Sequence, residues 1–194
     1  MFLAIFHHAK QSSWPLLTPL NNAPKYQRQG KIHSRTESAI LETTKLLIAQ
    51  KGLTATTMID ISVESQVSRA TLYNHYRDKS AVVLALLTSE LQRLRELMQS
   101  VGAPAAVLEE LSLEISSSEA LKMMRLSDPT ALAFALTDSQ HPLWIEFHAA
   151  ILEVTKLEIC TSLAVAWLKS QVLAPITPQQ SADEAALLVE RTLF

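Results

Sequence analysis

"VSRATLYNHYRDKS", residues 67–80, is the stretch on which the fold turns. Tyr73, Tyr76, His75, Ser68, Thr71, Arg69, Arg77 and Lys79 crowd into fourteen positions, and the bulky aliphatic residues among them are Val67 and Leu72 alone. Ser68 is a natural N-cap for a short helix "RATLYNHY", because a serine oxygen can accept from the free amides of a first turn. A helix with so small an apolar share needs little core and presents long hydrogen-bonding side chains to something outside itself.

The flanking sequence supplies the context. Upstream, Thr57 is placed to cap a second short helix over "MIDISVES", with a turn at Gln66-Val67. Downstream, Asp78 or Ser80 starts a long helix in which Leu84, Leu87, Leu91, Leu94 and Met98 step alternately three and four apart. Before both, a helix from about Ser34 traces one face through Ala39, Ile40, Thr43, Leu46, Leu47 and Gln50. Two short helices joined by a tight turn and packed on longer ones form a helix-turn-helix, whose second helix lies in the major groove of DNA. Val67, Leu72 and part of Tyr76 would face inward. The remaining side chains would face phosphates, which Ser, Thr, Tyr, Arg, Lys and His can all donate to, and base edges, which Arg, Asn74, Thr and Ser can read.

Residues 56–86, "TTMIDISVESQVSRATLYNHYRDKSAVVLAL", resemble the DNA-binding domain of tetracycline-repressor (TetR) family transcriptional regulators. The order Thr-Thr, Asp-Ile, Val-Ser, Thr-Leu-Tyr, His-Tyr and then Lys carries the resemblance, which covers roughly residues 34–86. It implies a cap and a phosphate contact at Thr57, a cap at Ser68, groove-directed Arg69 and Thr71, and phosphate contacts from Tyr73, His75 and Lys79. Leu72 and Tyr76 would seat the helix. Two positions depart from the pattern. Gln66 stands where the family commonly has glycine, at a left-handed cost of roughly 1 kcal/mol, and Ile59 stands where a charge is common. Arg35, with Arg28 and Lys31, precedes the motif and is a further candidate for DNA contact; solvated surface charge is the plainer explanation for these three.

Proline and glycine punctuate the rest. Pro104, Pro129, Pro142 and Pro178 each open an apolar periodic segment, as proline at a first helical position does. Asp128 is the expected cap before Pro129, and Thr177 with Gln180 forms a capping box. Gly52 and Gly102 each follow a helical run. No bounded alternating strand pattern occurs, so the expected fold is all-α. The organisation read from this is an N-terminal extension (1–30, partly mobile), a three-helix DNA-binding domain (31–80) and a helical ligand-binding and dimerisation domain (81–194).

Composition narrows the function. The formal charge is −2, but residues 1–80 hold ten Lys/Arg against five Asp/Glu (+5) and residues 81–194 seven against fourteen (−7). Such asymmetry suits one half that meets a polyanion. Three glycines leave no phosphate-cradling Gly-rich loop, and the lone Cys160 suits a reducing compartment. The opening "MFLAIFHHAK" has neither the charged start nor the apolar length of a leader or a span, so a cytoplasmic location is expected. No catalytic set, cofactor or metal site is expected; His141 and His148 are seven apart with no third ligand.

In the second half, residues 142–172 read as one helix of about 31 residues, ~46 Å long. Leu143, Phe147, Ala150, Val154, Leu157, Thr161, Ala164 and Leu168 form one strip, and Ile145, Leu152, Ile159 and Leu163 a second. So wide an apolar girth needs cover on two sides, and "SADEAALLVERTLF" could complete a bundle between two subunits. Met98, Met123, Phe134, Trp144, Phe147, His148 and Ile151, with His141 and Met124, are candidate pocket residues, although aromatic and Met residues at helical spacing are usually plain core. The expectation is a homodimeric repressor on a palindromic DNA operator, released by a small apolar ligand. The rivals are a helical small-molecule carrier or enzyme with no DNA role, and a protein-binding adaptor.

Overall fold

The computed structural model describes residues 24–190, with side chains from 33 to 189. Most of the expected N-terminal extension, the side chains of Arg28 and Lys31, and residues 191–194 lie outside the described residues. Among the described residues the chain is all-α: α1 (Pro24–Lys51), α2 (Met58–Glu64), α3 (Arg69–His75), α4 (Lys79–Val101), α5 (Pro104–Ser116), α6 (Glu119–Ser127), α7 (Pro129–Thr137), α8 (Pro142–Thr155), α9 (Glu158–Leu173) and α10 (Pro178–Glu190).

The helix starts follow local chemistry. Pro104, Pro129, Pro142 and Pro178 each begin a helix, as expected. Pro24 does the same, so α1 starts well before Ser34, and residues 24–30 are its first turns. No further proline follows until Pro104, and Gly30 alone weakens the run. The Thr177–Gln180 capping box forms, with each backbone amide donating to the other residue's side-chain oxygen at 2.9 and 3.3 Å. Gly52 and Gly102 end α1 and α4 at φ +85° and +80°, a region that costs glycine nothing.

Three expectations are corrected. The buried face of α1 is Ile40, Leu41, Thr44, Leu47 and Ile48; Leu46 and Gln50 are exposed. The face is set by α2, α4 and α6 packing on one helix together, which a single spacing rule does not anticipate. In α4, Leu87, Leu91, Leu94 and Met98 are buried, but Leu84 lies at the surface. Residues 142–172 do not make one rod. Lys156 takes a left-handed conformation (φ 63°) and divides α8 from α9. The two helices weight their other neighbours differently: α8 packs mainly on α4, with a smaller contact to α5, and α9 mainly on α5. Thr155 and Thr161 share a hydroxyl hydrogen bond of 2.6 Å across the break.

One hydrophobic core continues from Ile40, Ile48, Ile61 and Leu72 through α4 to Leu132, Ile151 and Leu168. α4, about 35 Å long at 1.5 Å per residue, is its spine and begins four residues beyond the end of α3. α1 also packs on α6, so the helices around α3 rest directly on the second half of the chain.

Candidate nucleic-acid interface

Caps fix α2 and α3 tightly. The Thr57 Oγ1 accepts from the Asp60 amide at 3.2 Å, while the Thr57 amide donates to Asp60 Oδ2 at 2.8 Å, a reciprocal capping box. At the far end, the amides of Gln66 and Val67 donate to Val63 O and Ser62 O, and Gln66 sits at φ 56°. This is the helix-ending motif that normally uses glycine at the left-handed position. Ser68 then caps α3, accepting from the Thr71 amide at 3.1 Å.

α3 has two clearly different sides. Leu72 is fully buried and Tyr76 nearly so, with the Tyr76 hydroxyl donating to Glu37 Oε1 of α1 at 3.1 Å. Arg69, Tyr73 and Asn74 face solvent, Tyr73 at 54% exposure, and Thr71 is partly exposed. The His75 ring stacks on His33 of α1, with centroids 4.1 Å apart. Arg35 and Thr57 are also exposed. Thr57, Ser68, Arg69, Thr71, Tyr73 and Asn74 therefore belong to the short segment from Thr57 to His75, but Thr57 and Ser68 spend hydroxyl capacity on their own caps.

Lys79 differs from expectation in its partners. Its ammonium donates to the carbonyls of Leu53, Thr54 and Thr56 at 3.1, 3.3 and 2.9 Å, which occupies all three N–H groups. Asp128 is the counterpart that the sequence misassigns: it makes no side-chain cap to α7. Its carboxylate instead accepts from the amides of Leu53 and Thr54 at 2.8 and 3.1 Å. Glu37 and His33 are likewise partners of the α3 region that sequence spacing does not reveal, since all three contacts join residues far apart in the chain.

The electrostatics follow from these neighbours. The Lys51 ammonium, 2.7 Å away, and the Thr57 hydroxyl and amide hold the Asp60 carboxyl down at about 2. Burial and the neighbouring His33 push His75 below its ordinary value, with Glu37 opposing them. Burial and the Glu37 charge push the Tyr76 phenol up. Lys79 is lowered by burial against the pull of Asp128. For Asp128, burial raises the carboxyl, but hydrogen bonds from Thr54, Ser127 and Leu53 outweigh it and hold it below the usual range.

The residues singled out for a pocket are dispersed in character. Met98 of α4 and Trp144, Phe147 and Ile151 of α8 are buried core side chains, with Trp144 Nε1 donating to Ala135 O at 2.8 Å. Met123 is half-buried on α6, and Phe134 of α7 is 49% exposed. His148 Nε2 lies 3.3 Å from Glu158 Oε1 across the α8–α9 break. His141 caps α8 by accepting from the Leu143 amide at 3.2 Å. An open cleft of about 630 Å³ lies elsewhere, between α1, α4, α5 and α6, and Glu42, Lys45, Glu90, Arg93 and Glu114 are among its lining. No candidate pocket residue lines it. Among the described residues no helix is long and apolar enough to cross a membrane, and no group of three or more His, Cys, Asp or Glu could hold a metal.

Comparison with known proteins converges on the same segment. Residues 40–86, from mid-α1 into α4, match the family model described as bacterial regulatory proteins, tetR family. The chain is also similar to two uncharacterized HTH-type transcriptional regulators of Mycobacterium tuberculosis, one from each of two strains. Each is 31% identical over 148 residues, which span 74% of this chain and 67% of the relative. With a capped two-helix reader, its outward polar face and relatives matched over two thirds of their length, the chain belongs to the tetR family of bacterial regulatory proteins, which are DNA-binding regulators of transcription and not enzymes.

Proposed function

We propose that the protein is a homodimeric repressor in which residues 31–80 read a palindromic operator and residues 81–194 dimerise and take a small, mostly apolar ligand. The observation that carries the DNA assignment is α3 itself. Leu72 and Tyr76 anchor it, while Arg69, Tyr73 and Asn74 stand clear for a groove. Arg69, Thr71 and Asn74 contact base edges; Thr57, Ser68, Tyr73, His75 and Arg35 contact phosphates. Lys79 serves the phosphates through the turn it holds as much as by its own charge.

Dimerisation is supported by α9. Ile159, Leu163, Ala166, Ser170 and Leu173 form an exposed stripe at four- and three-residue steps, with Ile159 71% and Leu163 55% exposed. A second copy would cover it, with small Ala166 and Ser170 allowing close approach. The proposed ligand would lie between α4 and α8, around Met98, Trp144, Phe147, His148 and Ile151, with Met123 and Phe134 as further candidates. α4 begins just after α3, so its tilt would reach the reader. A ligand acts there only through its different affinity for the two tilts.

The test is selection of genomic DNA fragments by the purified protein, followed by a salt titration of the best fragment. A steep fall in affinity with salt and a palindromic consensus are expected. Tyr73→Phe should weaken binding to all sequences, whereas Arg69→Ala should relax preference at particular bases. Absence of a consensus together with flat salt dependence would remove the DNA-reading assignment in favour of a carrier.

A further inference from the structure

The turn between α1 and α2, residues 52–56, is held from both sides by groups far away in sequence. Asp128, between α6 and α7, takes the amides of Leu53 and Thr54 on its two carboxylate oxygens at 2.8 and 3.1 Å. Lys79, at the first residue of α4, takes the carbonyls of Leu53, Thr54 and Thr56. Anion on the amide side and cation on the carbonyl side match the direction of the peptide dipoles, and such charge-assisted hydrogen bonds are the stronger kind. The Asp128 carboxylate is itself fixed by the Ser127 hydroxyl at 2.8 Å, and the residue is buried. Contact is so close that a Cβ at Gly52 would collide with Ser127 Oγ and Asp128 Oδ2. Thr56 closes the turn, its hydroxyl donating to Gly52 O at 2.7 Å.

The next residue is Thr57, the cap of α2. Where the turn sits therefore decides where the α2 N-terminus sits, and α2 carries α3 through a turn only a few residues long. We propose that Asp128 is a positioning residue for DNA binding: through it the end of α6 sets the α1–α2 turn, and with it the seat of α2 and α3 on the operator. The DNA reader is thus held at two points of one turn. One is Lys79, the first residue of α4, and the other, the one the second half supplies, is a through-space clasp at Asp128. Any shift of the α6–α7 junction relative to α1 must either drag the turn or break two hydrogen bonds to a buried carboxylate, which costs the desolvation of that charge as well as the bonds.

The inference rests on the DNA-binding assignment, so wild type and variants are measured in parallel on one genomic fragment selected by the wild type. Asp128→Asn keeps the shape but turns one acceptor into a donor that faces a backbone N–H. Expected are a folded helical protein, faster hydrogen exchange in the peptide covering residues 52–57 and unchanged exchange in α9. DNA affinity should fall by about tenfold, toward the lower end of the range for coupled sites. Ser127→Ala loosens the carboxylate without removing it, and should shift exchange and affinity in the same direction by a smaller factor. Equal affinity for wild type and Asp128→Asn despite faster exchange would make the clasp a structural staple and overturn the proposal, as would unchanged exchange at the turn. If Asp128→Asn does not fold, unchanged affinity in Ser127→Ala overturns it instead. A wild type that retains no fragment removes the DNA-binding assignment itself, an outcome distinct from either.

Discussion

Gln66 holds the left-handed position that ends α2, at φ 56°, and its amide and that of Val67 still close the turn onto Val63 and Ser62. A side chain there meets its own carbonyl, so the conformation is strained by about 1 kcal/mol. The hydroxyl of Ser62 offsets part of that strain by donating to Val67 O at 2.8 Å. Gln66→Gly should therefore stabilise the fold, by about 0.5 kcal/mol once glycine's greater freedom in the unfolded chain is subtracted. Urea denaturation of the two proteins checks it, and a loss of stability would mean that the Gln66 side chain makes a contribution the backbone geometry does not account for. At the same scale Lys79 and Asp128 show how a residue type can be legible and its partner not. A lysine opening α4 reads as a phosphate ligand; in the fold it is fully occupied by three carbonyls.

Among elements, the contact between α1 and α3 has its own pH behaviour. His75 faces His33 and Glu37 of α1 and lies beside Tyr76, 6.0 Å away between ring centroids. Burial and His33 lower its pKa in the free protein, so the neutral form is favoured when folded. The sign for stability follows: with a depressed folded value, protonation favours the unfolded chain. The His75 contribution to stability is complete above the ordinary histidine value and is lost as pH falls from there through the lower folded value. If the proposed phosphate contact at His75 forms, DNA would reverse the preference, because a phosphate beside the ring favours its protonated form and binding would take up a proton. Affinity for a selected DNA fragment should then rise as pH falls from about 7.5 to about 6. His75→Gln should flatten that slope, as read by fluorescence anisotropy at constant ionic strength. A slope unchanged in His75→Gln would assign it to another group. The same scale shows buried polar groups fixing helix register: the Ser112 hydroxyl of α5 donates to Gln171 Oε1 of α9 and shares a hydroxyl contact with Ser181 of α10, each at 2.7 Å, and so ties three helices together.

For the whole molecule the decisive surface is the α9 stripe. Ile159, Leu163 and Leu173 are large apolar side chains at the surface of one chain, lined up by a helix that is otherwise buried on Cys160, Thr161, Ala164, Leu168 and Val172. This exposed, mostly apolar stripe is the surface on which the proposed dimer rests. Leu163→Glu should leave the helical content intact, convert a dimer to a monomer in light scattering, and weaken binding to a palindromic fragment by at least tenfold, since one reader then binds without the other. A dimer that persists would move the interface off α9.

The sequence by itself determined the all-α character, many of the helix starts and the reader. Caps and breakers are local: Thr57, Ser68, Asp78, the opening prolines and the closing glycines act within four residues, and all stand where the sequence places them. The motif around Tyr73 and His75 is local too, which is why the family is legible before any fold is known. Packing between distant segments was not. Which face of α1 is buried depends on three helices converging on it, and the division of α8 from α9 at Lys156 has no glycine or proline to announce it. The clasp of Asp128 on Leu53 and Thr54 joins residues 75 and 74 apart, and no pattern in a single chain encodes which carboxylate will find which amide. That pairing exists only once α6 has been laid against α1. The tertiary structure alone decides it, because apolar burial sets the helix positions and the polar groups then satisfy one another where burial has left them.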